Sequence, residues 1–320
     1  MKLRELYNKA VGIGIDNDPR GTVVVLRELE ARRKDYENLK ESEREFFDVE
    51  SLTNPYPDTR ILHGSGDEEI NSATIGIDID TAEVLLCDSL RQRGHGIDLI
   101  ISHHPSGRAY AGLYAVMQMQ ADILSRFGVP INIAEDLLEG RIKEVQRRLM
   151  PVNHSKTVDA ARLIGIPFVC FHTPADNMVS AYLQRLFDDK KPYKVEDLID
   201  ILREIPEYRD AAKNSAGPEI LVGAKSRKSG RIFVDMTGGT EGSKEIFGSI
   251  AQSGINTIVA MHLSEDHRKE AEKNHINVVI AGHISSDNIG MNLLLDELTK
   301  QSPIGITACS GFRRISRLTY

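Results

Sequence analysis

The sequence predicts an α/β protein with largely parallel sheets, and three observations carry that reading. From Thr74 onward, short apolar runs alternate with amphipathic stretches. That is the pattern of strand–helix–strand units with parallel pairing and right-handed crossovers. One apolar run, Leu99 to Ile101, is followed by Ser102 and then by His103-His104-Pro105. Three further predicted strands also run into histidine, at His172, His262 and His283, although the chain holds only ten histidines. Ends of this kind share one rim of a sheet, where α/β proteins bind ligands.

In chain order, residues 2–10 read as a short amphipathic helix and Asp16 to Gly21 as a turn. Val23 to about Phe47 is a long, charge-dense helical stretch with Val25, Leu26, Leu29 and Tyr36 along one side, suited to packing or an oligomer contact. Asn54-Pro55-Tyr56-Pro57-Asp58 is a break, and His63 precedes a Gly-rich turn. The first strand of the alternating pattern is Thr74 to Ile79, followed by a helix over Thr81 to Arg93. Ala109 to Phe127 reads as helical, Val129 to Ala134 as a strand, and Glu135 to Arg148 and Val158 to Leu163 as helices. Ile166 to Phe171 is a strand ending in His172-Thr173-Pro174-Ala175-Asp176-Asn177, and Met178 to Phe187 is a helix. Residues 188–218 are charged and contain Pro192, Pro206 and Pro218, which suggests a linker with one helix near Val195 to Arg203. Strands follow at Glu219 to Ala224, Arg231 to Asp235, Asn256 to Met261 and Asn277 to Ala281, with a late edge strand at Ile304 to Ala308. The expected plan is an N-terminal helical extension over 1–73, a first α/β unit over 74–187, a linker over 188–218 and a second α/β segment over 219–320.

Composition narrows the function classes. Of the 320 residues 41% are hydrophobic and 27% charged, an ordinary globular balance. The net charge of −7 argues against a broad nucleic-acid surface, which needs a basic face. The three cysteines, Cys87, Cys170 and Cys309, form no Cys-x-x-Cys pair and no disulfide framework, which fits a reducing compartment. The first residues lack the apolar core of a signal peptide, and no apolar run reaches the roughly 20 residues that span a bilayer. The expectation is a cytoplasmic protein with no membrane segment.

The chemistry-bearing residues are His103, His104, Asp176, His283 and Asp287. Pro105 keeps His104 out of helical angles, so the pair sits where the chain bends rather than on opposite faces of a strand. His283 and Asp287 are four residues apart and meet on one side of a helical turn. Three imidazoles and two carboxylates suit Zn, Fe or Mn. Five donors exceed what one closed tetrahedral zinc needs, and they fit two metals about 3.5–4 Å apart. His172 and His262 are candidates for supporting positions, His172 orienting Asp176 and His262 standing near His283. Arg108 and the glycine-rich loop Thr237 to Ser243 are candidates for meeting an anion. The loop is not a P-loop, because Lys244 follows Ser243.

Four pieces of the chain, taken together, resemble the Nif-three-like family (NGG-one-interacting-factor-three-like proteins, also described as type-two GTP cyclohydrolase I homologues). They are Ile75 to Asp78 (IGID), Ile100 to Pro105 (IISHHP), Phe171 to Asp176 (FHTPAD) and Ala281 to Asp287 (AGHISSD). The resemblance covers roughly residues 74–300. It implies two α/β lobes with a dinuclear site in the cleft between them, held by His103, His104, Asp176, His283 and Asp287. It also implies a homo-oligomer, a ring-like hexamer, and a purine-nucleotide substrate. Asp287 stands where the family usually has glutamate, Pro174-Ala175 replaces the usual Asn-Leu, and the stretch before residue 74 is unlike the short family start.

The function expected is a dinuclear metal-dependent hydrolase acting on a small molecule through metal-bound hydroxide. The alternative is a non-catalytic metal-binding scaffold or regulatory protein. A phosphoesterase of the Asp-His-His type ranks lower because Ser102 stands where its aspartate belongs. A serine hydrolase is disfavoured by the lack of a Gly-x-Ser-x-Gly elbow.

Overall fold

A computed structural model describes residues 1–318. Nine strands are found among them: β1 (Arg60–His63), β2 (Ser72–Gly76), β3 (Leu99–Ser102), β4 (Phe168–Cys170), β5 (Glu219–Val222), β6 (Ile232–Asp235), β7 (Thr257–Ala260), β8 (Asn277–Ile280) and β9 (Gly305–Cys309). They form two sheets, one ordered β1-β4-β3-β2-β9 and the other β5-β8-β7-β6. β9, β2, β3 and β4 are mutually parallel, and β1 is added antiparallel beside β4. The second sheet repeats the plan, with β6, β7 and β8 parallel and β5 antiparallel at the edge. Leu99, Ile100 and Ile101 are all fully buried, as a strand covered on both faces requires.

Two helices, Thr173–Lys190 and His283–Thr299, serve both sheets. Ala175 and Met178 pack with Met291, Leu294 and Leu295 beneath the first sheet. Further along, Val179, Leu183 and Phe187 join Ile289 against the inner face of the second. This shared layer places the carboxyl ends of β3, β4, β7 and β8 around one cleft. Among the described residues no helix is long and apolar enough to cross a membrane. Cys87, Cys170 and Cys309 are free thiols.

Several segments differ from the sequence reading. Val129 to Ala134 is not a strand: a helix starts at Ile131 directly after Pro130 and runs to Leu149. Its buried residues Ala134, Leu138, Val145 and Leu149 have helical spacing, and the short β-rich start masked that period. The stretch Ala109 to Phe127 breaks into three short helices, Gly107–Ala111, Leu113–Val116 and Met119–Arg126. The long N-terminal helix spans Thr22–Asn38 and buries Val25 and Leu29 but leaves Leu26 exposed.

Residues 188–218 are not an open linker. They contain helices Val195–Glu204 and Pro206–Lys213, whose Val195, Leu198, Leu202 and Tyr208 are buried against the second sheet. Nor is the 1–73 stretch an appended extension. The helix Leu3–Asp16 buries Leu3, Leu6, Tyr7 and Ala10 in the first sheet's core, and β1 is a strand of that sheet. Chain order and spatial order also diverge later. Helices Met119–Arg126 and Ile131–Leu149 pack on the second sheet, while β9 returns to the first.

Candidate metal centre

The histidine pair follows β3, and backbone bonds to the neighbouring strand's exit fix it: His103 N–H donates to Gly76 O at 3.0 Å and His104 N–H to Ile77 O at 2.9 Å. Both imidazoles therefore emerge at the bend beyond the strand. Asp176 lies in the first turn of the helix Thr173–Lys190, which begins where β4 ends. His283 opens the helix His283–Thr299 after β8, with Gly282 supplying a positive φ of 112° at its N-cap. Asp287 follows one turn later on the same face.

These residues converge. His103 Nε2 lies 3.4 Å from Asp176 Oδ1 and 3.5 Å from Asp287 Oδ1. His104 Nε2 is 3.4 Å from Asp287 Oδ2, and His283 Nε2 is 3.7 Å from the same oxygen. Neither carboxylate oxygen of the buried Asp287 has a hydrogen-bond partner. Three overlapping sets have ligand atoms within 4.8 Å of one another: His103, His104 and His172; His104, His283 and Asp287; His103, Asp176 and Asp287.

The outward nitrogens are held from behind. His103 Nδ1 donates to Phe171 O at 3.1 Å and His104 Nδ1 to Asp78 Oδ1 at 2.7 Å. His172 Nδ1 donates to Asp58 Oδ2, also at 2.7 Å. A neutral imidazole that donates from Nδ1 presents a lone pair at Nε2, the state a metal takes.

Electrostatics sharpen the picture. Burial pushes the Asp176 carboxyl well above the usual range, and the nearby Asp287 and Asp58 charges add to this. Burial works the same way on Asp287, but the His103 and His104 imidazoles around it prevail and hold it well below that range. Burial lowers His103 and His283. It also opposes the charge of His104, yet the Asp287 and Asp78 carboxylates outweigh it and raise that group to about 9. Two buried carboxylates faced by imidazole nitrogens, one of them with no hydrogen bond, form a site that a cation would complete. Imidazole and carboxylate donors suit borderline divalent transition metals. The donor set fits a metal ion.

A cleft opens over this cluster, walled by His172, Asp176, His283 and Asp287 on one side and by Asp235, Met236, Glu241 and His262 on the other. His262 stands 4.9 Å from His283, ring centre to ring centre, and its Nδ1 is 3.3 Å from Glu241 Oε1. It belongs to none of the three ligand sets. The glycine-rich loop lines the same cleft and is pinned by Gln120, whose Nε2 donates to Gly238 O and Thr240 O at 2.7 Å each. Thr237 Oγ1 donates to Asn177 Oδ1 at 2.7 Å, tying the loop to the helix that carries Asp176.

Other candidates fall elsewhere. Arg108 is ion-paired with Glu50 and is not part of the cleft wall. His63 ends β1. His172 Nε2 is 3.7 Å from Asp176 Oδ2, too far to orient it by a hydrogen bond. Sequence reading missed Asp58 and Asp78. Asp78 follows directly on the IGI run at the exit of β2, which was a usable signal; Asp58 lies in an aperiodic turn segment and offered none.

Among solved structures, the chain is similar to a NIF3 superfamily protein from Sphaerobacter thermophilus, with 27% identity and a TM-score of 0.69 over 80% of this chain and 91% of that one. The fold is also shared with reduced HcgD from Methanocaldococcus jannaschii, at 14% identity and a TM-score of 0.51 over 83% of this chain and 94% of that one. No model of a known protein family and no curated protein matches the sequence.

Proposed function

Because this chain is a member of the NIF3 superfamily, we propose that it is a metal-dependent hydrolase with a dinuclear centre held by His103, His104, Asp176, His283 and Asp287. One observation carries the reading: the buried Asp287 carboxylate has two oxygens without hydrogen bonds, ringed by imidazole nitrogens at 3.4 to 3.7 Å. Two divalent ions, Zn, Fe or Mn, would supply Lewis acidity and lower the pKa of bound water toward about 7.

The chain's own residues do the rest. Phe171 O and Asp78 hold the two imidazoles of the histidine pair in one tautomer. The cleft admits a small molecule from the side of the second sheet, where His262 and the glycine-rich loop would meet it. A purine nucleotide is the substrate class the family resemblance suggests, and the loop's backbone N–H groups would face its phosphates. We take the protein to be cytoplasmic, since its three cysteines are free thiols, as a reducing compartment keeps them, and a ring-like hexamer, as the family resemblance suggests.

The test is turnover of GTP and related purine nucleotides by protein stripped with chelator and reloaded with Zn, Fe or Mn. Ring opening or phosphate release that depends on reloading supports the hydrolase. Full metal loading with no turnover of any nucleotide favours the non-catalytic scaffold instead.

A further inference from the structure

We propose that His172 is a sixth metal ligand and that Asp58, from the turn segment before β1, is the residue that positions it. This rests on the metal-centre reading above and adds two residues to it.

Three imidazoles at the cluster share one construction. Each has Nδ1 committed to an acceptor on its outer side: Phe171 O for His103, Asp78 Oδ1 for His104 and Asp58 Oδ2 for His172. Each then turns Nε2 inward, the atom whose lone pair a bound metal would take. The ring centres of His103 and His172 are 5.0 Å apart, and a ligand nitrogen of each lies within 4.8 Å of one on His104. His172 Nε2 makes no hydrogen bond in the cluster; its nearest carboxylate oxygen, Asp176 Oδ2, is 3.7 Å away. A histidine whose task was to steady Asp176 would sit at hydrogen-bond distance. One built to bind a metal would look as His172 does.

Asp58 is placed for the task. It is fully buried and accepts three side-chain hydrogen bonds, from His172 Nδ1 at 2.7 Å, from Thr173 Oγ1 at 2.6 Å and from Thr59 Oγ1 at 3.4 Å. The neighbouring Thr59 Oγ1 accepts the His172 backbone N–H at 3.2 Å. Asp58 and Thr59 thus fix both the ring and the backbone of His172, which caps the helix bearing Asp176. A carboxylate behind a ligating imidazole sets its tautomer and raises its basicity. Six donors also divide into three per ion, the number that leaves an open position in catalytic sites. Asp58 lies before residue 74, outside the stretch that carries the four motifs.

The experiment uses Co(II) as the probe on the full chain stripped of metal. Affinity is read by competition with a chromophoric chelator, and coordination by the visible Co(II) spectrum. His172→Gly is expected to weaken Co(II) binding at least tenfold and change the spectrum, and free imidazole should restore both. Asp58→Asn is expected to weaken binding about tenfold, within the range for groups behind a metal ligand. Circular dichroism melts of the stripped proteins check folding, and His172→Gln replaces His172→Gly if that variant does not fold. Wild-type affinity and an unchanged spectrum in the His172 variant would overturn the assignment while leaving the five-residue centre standing. Absence of Co(II) binding by the wild type would overturn the metal centre itself, and this assignment with it.

Discussion

Gly290 lies directly against Ala175: a Cβ built on Gly290 would fall 2.4 Å from the Ala175 carbonyl oxygen. The helices Thr173–Lys190 and His283–Thr299 touch backbone to backbone at this point. The contact sits one residue from Asp176 and three from Asp287, so it sets how closely the two carboxylates approach the histidine pair.

Gly290→Ala should therefore push the helices apart. Overpacking of this kind costs about 1–3 kcal/mol. The expected outcome is a lowered melting temperature together with weaker metal binding, measured by calorimetric melting and metal titration. Loss of stability with unchanged metal affinity would mean that the helix spacing does not control the centre.

Asp287 is the carboxylate with most to gain from a cation. Excess Zn or Mn should raise the melting temperature of the wild type, since a ligand present at 100 times its dissociation constant stabilises by about 2.7 kcal/mol. Asp287→Ala should abolish that rise. Thermal melts of both proteins, with chelator and with added metal, check it.

His262 faces the cleft but stands outside all three ligand sets, paired with Glu241 of the glycine-rich loop. His262→Ala should retain the wild-type metal content while impairing whatever the cleft binds. Elemental analysis of the variant decides this; loss of metal from it would place His262 inside the centre.

Asp80, two residues beyond the Asp78 that braces His104, gives a pH signature of its own. It accepts the Thr81 N–H at 2.7 Å at the start of the helix Thr81–Gln92 and pairs with Lys156 at 2.9 Å. Its bond to Lys156 comes first and the Thr81 N–H second in holding the carboxyl down, to about 2. The folded pKa lies below the unfolded value of about 3.9, so the stabilisation is present above that pH and fades as pH falls toward 2. Asp80→Ala should cost about 1 kcal/mol at neutral pH, the usual worth of an N-cap. The difference from wild type should shrink across that acid window in urea melts.

The α/β class and most of the candidate site were legible because they rest on local patterns. Apolar runs such as Leu99 to Ile101 announce buried strands, and a histidine just past such a run lands on the sheet rim whatever the topology. Asp287 was readable from its four-residue spacing to His283. What the sequence hid was non-local. Nothing in Ile131 to Leu149 says that it covers the second sheet, and nothing in Gly305 to Cys309 says that the chain returns to pair with β2. Asp58 was invisible for the same reason: its partner His172 is 114 positions away. The proline-bearing stretch 188–218 misled because Pro206 opens a helix there instead of ending one.

The most direct measurement is the transition-metal content per chain, by elemental mass spectrometry, of the wild type and of Asp176→Ala. About two ions per wild-type chain are expected, as in dinuclear sites of this donor type, and their loss in the variant. No bound metal in the wild type, even after reconstitution with Zn, Fe or Mn, would contradict that expectation.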